Sequence, residues 1–181
     1  MEWMFMPLKR YADFSGRSRR MEFWMWTLFQ VLLAFAVMVV LLMLVGGAAM
    51  SGDPTQLMAV GGAALVLYLL YLLAALIFFI PNLAVTVRRL HDTNRSGWWV
   101  MLFWGPYLLM IVASVILSAS ATSGVPAEGT LMAGGLVSLV SMLALLVGSL
   151  VLLVFMFLEG TRGPNRFGAD PKGPEHGEVF A

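Results

Sequence analysis

The side chains that could do chemistry are gathered into three short segments. The first is Phe14-Ser-Gly-Arg-Ser-Arg-Arg-Met-Glu-Phe-Trp24. The second is Arg88-Arg-Leu-His-Asp-Thr-Asn-Arg-Ser-Gly-Trp-Trp99, and the third is Glu159-Gly-Thr-Arg-Gly-Pro-Asn-Arg-Phe-Gly-Ala-Asp-Pro171. Glu22, Asp92 and Glu159 stand beside apolar runs and among Arg17, Arg20, Arg88, Arg89 and Arg162. Two kinds of chemistry suit that mixture. Carboxylates beside apolar runs are costly unless paired, so the set fits an ionic clamp tying helix ends together. Arginines left over from pairing, with the amides of the Gly-rich third segment, fit an anionic group such as a lipid headgroup or a phosphate. The two can coexist.

Each segment also has a local reading. Gly16 lets the chain run along headgroups before the first apolar run, where Arg17 and Arg20 can reach phosphates and Trp24 sits at interfacial depth. Glu22, at the mouth of that run, calls for an arginine from another segment. Arg88 and Asp92 have the spacing of an ion pair on one helical turn. Thr93-Asn94 is a turn signal and Ser96 a suitable N-cap, while Trp98 and Trp99 anchor the helix that follows. After Glu159, the glycines and Pro164 predict a fixed loop from which Asn165 and Arg166 project.

Catalysis has little support. His91 and Asp92 are adjacent, so on a helix they point in different directions. His176 lies in a Pro- and Gly-rich tail with the composition of a disordered segment. No nucleophile and base have a recognisable spacing, and the absence of Cys excludes thiolate ligands and nucleophiles. A hard-metal site built from Glu22, Asp92 and Glu159 is opposed by the surrounding arginines. No catalytic residue, metal or cofactor is therefore assigned. Nor is nucleic acid a partner, because the basic residues alternate with acids and membrane anchors.

What must position these segments is a membrane. Only 12% of the 181 residues are charged, against about a quarter in a soluble domain, so most of the surface must face lipid. Residues 23–52, 54–87, 96–127 and 129–158 contain no Asp, Glu, Lys or Arg. Each run exceeds the ~20 apolar residues that cross a bilayer as a helix. Their continuous Leu, Ala, Val and Met content excludes the alternating strands of a barrel. The fold expected is an all-α membrane protein, an up-down bundle of four transmembrane helices near 23–47, 60–87, 98–119 and 131–158. Three spans with one interfacial run is the alternative. Residues 46–55 and 120–130 read as turns. Pro81 predicts a kink or a tilted helix whose last turns leave the membrane, and Gly105-Pro106 a bend or a delayed start.

Four spans place the three segments on one face. All eleven Lys and Arg fall there, while the two opposite loops carry only Asp53 and Glu128. Short basic loops stay in the cytoplasm, so both termini are expected inside. Residues 1–22 then form a cytoplasmic or interfacial segment, 23–158 the transmembrane domain and 159–181 a cytoplasmic loop and tail. The first apolar run is too long and starts too late for a cleavable signal.

The pattern Gly16-Arg17-x-x-Arg20-x-Glu22-Phe23-Trp24 is joined by Arg88-Arg89-Leu90-His91-Asp92 with Ser96-Gly97-Trp98-Trp99. It is completed by Glu159-Gly160-Thr161-x-Gly163-Pro164-Asn165-x-Phe167-Gly168. In these the sequence resembles the YhaH-type family of small bacterial inner-membrane proteins, classified as a domain of unknown function. The resemblance implies inner-membrane localisation and marks these positions as important. It implies no activity.

The reading is a non-enzymatic multi-pass protein of the bacterial inner membrane. Its partners are the lipid bilayer, anionic lipid headgroups, and a membrane-protein partner or a second copy of itself. A small channel or carrier for a neutral or anionic solute is the alternative, and a membrane-bound enzyme comes third. The spans hold no ionisable acid or base of the kind coupled carriers use. Their notable polar side chains are Gln30, Tyr68, Tyr71, Asn82 and Thr86, each suited to bonding a neighbouring helix. Ser114 with Ser118, and Ala144 with Gly148, are small-residue pairs suited to close helix packing or dimerisation.

Overall fold

The computed structural model describes residues 2–122 and 128–173. Helix α1 spans Glu2–Lys9, α2 Arg20–Ser51, α3 Pro54–Asp92, α4 Met101–Thr122 and α5 Glu128–Phe157, with a 3-10 turn, Gly97–Val100, leading into α4. Four helices are long and apolar enough to cross a membrane, α4 together with its leading turn. They run up and down in chain order. At about 1.5 Å per residue, the 39 residues of α3 are far longer than a ~30 Å hydrocarbon core requires. The second segment's Arg88–Asp92 is therefore the last turn of a helix that outruns the bilayer.

The turn expected over 46–55 contracts to Gly52 and Asp53. Gly46 and Gly47 stay helical, since a helix in lipid has no water to satisfy an opened backbone. Gly52 ends α2 at φ 65°, in the left-handed region that a Cβ disfavours. Asp53 Oδ1 then accepts from the Thr55 amide at 2.9 Å, and Pro54 starts α3 where its missing N–H costs nothing. Of the turn expected over 120–130, residues 123–127 lie outside the described residues, as does His176.

Neither proline interrupts its helix. Pro81 has no N–H for the carbonyl of Ile77, and the hydroxyl of Tyr11 donates to that oxygen instead, at 2.6 Å. Pro106 likewise frees the carbonyl of Leu102, against which Gly148 of α5 packs. A Cβ on Gly148 would lie 2.2 Å from the Leu102 oxygen. Only glycine permits that approach, so α4 and α5 pair closely there, as they do where Gly134 meets Leu117. Ser114 Oγ instead bonds within its own helix, to the Ile111 carbonyl.

Helix α2 pairs with α3, and α4 with α5. The two hairpins meet at the end that carries the three segments. There Leu90, Val100 and Met156 form a buried cluster with Phe23, Trp24 and Trp104 packed against it. Trp26 is fully buried between Phe29 and Phe78. Helix α1 was not expected from sequence. Its eight residues fall short of what an isolated helix needs, and it is held by packing. Phe5 meets Phe29 edge-on at 5.6 Å, Pro7 is buried, and Arg19 lies over the Trp3 ring.

Candidate functional site

The end of α3 organises the site. Arg88, Arg89 and Asp92 are all buried on its last turn, and the chain then reverses at Asn94 with φ 57°. The amide of Arg95 closes that reversal on the Leu90 carbonyl at 2.9 Å. Asp92 accepts from two arginines. Arg17 reaches Oδ1 at 2.9 Å from the stretch before α2, and Arg89 donates to Oδ2 from one turn earlier. Arg17 also donates to the Gly163 carbonyl at 2.6 Å and to the Thr161 carbonyl, which ties the third segment to the same carboxylate. Arg89 donates to the Leu158 carbonyl at the end of α5.

A third buried pair lies alongside. Arg88 donates to Glu22 Oε1 at 2.7 Å, and both side chains are almost entirely excluded from solvent. The other amino group of Arg88 reaches the carbonyls of Asp13 and Arg10. The pair expected between Arg88 and Asp92 is therefore not made. Residues three and four apart on a helix are both neighbours, and Arg89 takes Asp92, so Arg88 turns to Glu22. Three buried ion pairs, two of them sharing Asp92, thus join the stretch before α2, α2, α3 and the third segment.

The loop after α5 is fixed by backbone bonds. Thr161 donates its amide to the Asp92 carbonyl at 2.8 Å, and Asn165 Nδ2 donates to the His91 carbonyl at 2.9 Å. Asn165 and Gly168 exchange both backbone bonds, closing a tight turn with Gly168 at φ 142°. Gly160 lies against the Asp92 carboxylate so closely that a Cβ would fall 2.1 Å from Oδ2. His91 stacks on Phe167 with ring centroids 3.9 Å apart, its Nδ1 is 3.2 Å from the Gly16 carbonyl, and Arg166 covers the same Phe167 ring. His91 is thus a packing residue that joins all three segments.

The remaining expected residues sit at the edges. Arg20 and Glu159 pair at 3.0 Å but are well exposed. Trp24 packs on Phe157. Ser96 caps the 3-10 turn by accepting from the Trp98 amide at 3.2 Å, and Trp98 is 79% exposed; neither joins the ion pairs. Arg162 is exposed and has no carboxylate partner among the described residues.

Four contributors were not singled out from sequence. Arg19 donates to the Pro171 carbonyl. Asp170 accepts from the amides of Lys172 and Gly163, each at 2.9 Å, and these bonds hold its carboxyl below the ordinary range. Asp13 accepts from Ser15 and Arg10, and those bonds, the Ser15 hydroxyl first, hold its carboxyl at about 2. Asp13-x-Ser15 is an Asx-turn spacing and was readable. Lys172 completes the set, because it lines a cavity of about 270 Å³ with Arg19, Arg20, Arg89, Arg162, Asp92, Glu159, Gly160, Asp170 and Pro171.

That cavity has a surplus of positive charge. Five cations, Arg19, Arg20, Arg89, Arg162 and Lys172, line it against three carboxylates; Asp92 and Glu159 are paired with arginines and Asp170 lies in the field of Lys172, whereas Arg19 and Arg162 have no carboxylate partner among the described residues. Arg89 Nε is also buried without a partner among the described residues.

The sequence model described as "Protein of unknown function (DUF805)" matches residues 11–169, which include the first two segments and the third as far as Ala169. Inner membrane protein YhaI of Escherichia coli (strain K12) is 35% identical over 172 residues, covering 95% of this chain and 97% of that one. Inner membrane protein YhaH of the same strain is 30% identical over 172 residues, covering 95% and 98%. The uncharacterized protein YiiR of that strain is 31% identical over 177 residues, covering 93% and 88%. No solved structure matches.

Proposed function

The chain belongs to the DUF805 family and is a multi-pass protein of the inner membrane, and from that premise we propose that it is a non-enzymatic membrane component binding anionic lipid headgroups at its clamped polar end. The carrying observation is the 270 Å³ cavity, in which five cations face three carboxylates and Arg19 and Arg162 meet no carboxylate partner among the described residues. Cations beside a membrane span attract anionic headgroups, by about 1 kcal/mol for each Lys or Arg near the surface. The buried pairs serve this by fixing the cavity walls, since Arg89 and Asp92 belong both to the clamp and to the cavity lining. The polar end faces the cytoplasm in this reading, which the one-sided Lys and Arg support.

The test uses the full chain in detergent. Native mass spectrometry is expected to retain phosphatidylglycerol or cardiolipin in preference to phosphatidylethanolamine. The double variant Arg162→Ala/Lys172→Ala should weaken that retention at least ten-fold while leaving the melting temperature unchanged, because Arg162 has no structural partner among the described residues. Equal retention of all three lipids would sink the proposal. Reporter fusions after Gly52 and at the C-terminus test orientation, expected outside and inside respectively; an outside C-terminus would overturn it.

A further inference from the structure

Below the clamp, two carboxamides face each other across the first hairpin. Gln30 Nε2 donates to Asn82 Oδ1 at 3.4 Å, a long bond. Helical rise places Gln30 about 15 Å along α2 from Arg20, and Asn82 as far along α3 from Asp92. That depth is inside the interfacial aromatics and within the apolar runs. Two carboxamides offer four N–H donors and two carbonyl acceptors. Here Asn82 Nδ2 and Gln30 Oε1 have no partner among the described residues. Lipid provides no water to satisfy them, and an unbonded amide in an apolar setting is costly.

The two amides open onto a cavity of about 120 Å³ between α2, α3 and α4. On α3 its wall runs from Asn82 through Ala75 to Tyr71, positions on one helix face that span about 16 Å. Ala75 leaves the wall open where a larger side chain would fill it. On the far side, Trp104 packs edge-on against Phe79 with centroids 5.0 Å apart, which makes an aromatic wall beside the amides. Among the described residues no Asp, Glu, Lys, Arg or His lines the cavity, so none of them would compensate a charged ligand.

We propose that this cavity binds a neutral amphiphile. Its carbonyl oxygens accept from the amides of Gln30 and Asn82, and its apolar body lies along the α3 wall past Ala75 toward Tyr71. A hydrophobic quinone has that chemistry, whereas the ester carbonyls of a phospholipid stay at the edge of the hydrocarbon core, above the amides. Donors at one end, aromatic and apolar walls beyond them and no charge suit a quinone; a volume of about 120 Å³ admits only the carbonyl end of its ring, and the rest lies in the open groove against lipid. The site is independent of the anionic cavity at the clamp.

Native mass spectrometry of the full chain in detergent separates the outcomes, with decylubiquinone and phosphatidylethanolamine as probes. Retention of one equivalent of decylubiquinone, at least ten-fold weaker in Ala75→Leu and in Gln30→Leu/Asn82→Leu, supports the proposal. Retention of phosphatidylethanolamine in place of decylubiquinone, with the same two losses, overturns it. Ala75 is exposed, so the leucine fills the groove without repacking the protein, and an unchanged melting temperature confirms that. Retention of neither probe, or retention that neither variant reduces, overturns it. Arg162→Ala/Lys172→Ala should leave this binding intact, which keeps the result separate from that of the headgroup cavity.

Discussion

The two ends of this molecule are built on different physics. At the polar end, helices from both hairpins, the strap of residues 10–19 between α1 and α2, and a C-terminal loop converge on Asp92 and Glu22, and those charged groups are buried. At the opposite end, α2 and α3 are joined by two residues, and Met50 and Met58 are 91% and 84% exposed. Lipid gives apolar helices no hydrophobic reason to associate, so association in a bilayer depends on packing and hydrogen bonding. Among the described residues, the buried ion pairs all lie at one end. The structure is accordingly a pair of hairpins fastened at their polar ends, and each variant below loads one end against the other.

The largest effect should come from the carboxylates. Asp92→Asn leaves Arg17 and Arg89 without their shared acid, and Glu22→Gln leaves Arg88 buried beside a neutral amide. Stranding one partner of a buried pair costs about 3–5 kcal/mol. Asp92→Asn should be the worse of the two because it strands two cations. Asp53→Asn at the opposite end is the control, since Asn caps a helix as well as Asp does. Unfolding in detergent, followed by circular dichroism, should show large losses for the first two and almost none for the third. Equal melting temperatures for all three would end the claim that one end fastens the fold.

A glycine series sharpens the same contrast at smaller magnitude. Gly160→Ala drives a methyl group into the Asp92 carboxylate and should cost about 1–3 kcal/mol by overpacking. Gly46→Ala and Gly61→Ala lie in helices where a Cβ meets nothing within 4 Å. There alanine is the better helix former by up to about 1 kcal/mol, so those variants should be neutral or stabilised. A loss at Gly61 matching that at Gly160 would mean the legs are packed against something, such as a second copy.

Much of this architecture was legible in the sequence, for a reason that also explains what was not. A bilayer demands long uninterrupted apolar runs, so four helices could be read from the spacing of charges alone. Their ends were less legible, because Gly46 and Gly47 signal a turn in water but remain helical in lipid. Ion pairing followed geometry that spacing cannot resolve. Arg88 and Arg89 both stand within one turn of Asp92, and the choice between them depends on where Glu22 and Arg17 arrive from distant segments. Helix α1 was invisible because its stability lies in contacts of Phe5, Trp3 and Pro7 with partners far along the chain. That Pro81 leaves the Ile77 carbonyl without its helical donor was readable; that Tyr11 supplies one was not.

The smallest predicted effect concerns the strap that backs the clamp. Asp13 accepts from Ser15 and Arg10 while its own carbonyl accepts from Arg88, so a partly exposed turn supports a buried cation. The Ser15 hydroxyl first, and then Arg10, lower the Asp13 carboxyl from 3.8 to about 2. A folded value below the unfolded one means the stabilisation is fully present above pH 3.8 and is lost as pH falls through about 2. Because the pair is more than a third exposed, solvent screening limits it to less than about 1 kcal/mol. The Ser15 amide should therefore be protected from hydrogen exchange at pH 4 and lose protection by pH 2, and Asp13→Asn should abolish that pH dependence. If protection at the amide of Ser18, which donates to the Arg88 carbonyl, falls over the same interval, the strap and clamp act as one unit. If it persists, the buried pairs hold Arg88 without the strap, and the fastening of the polar end is narrower than the set of residues that touch it.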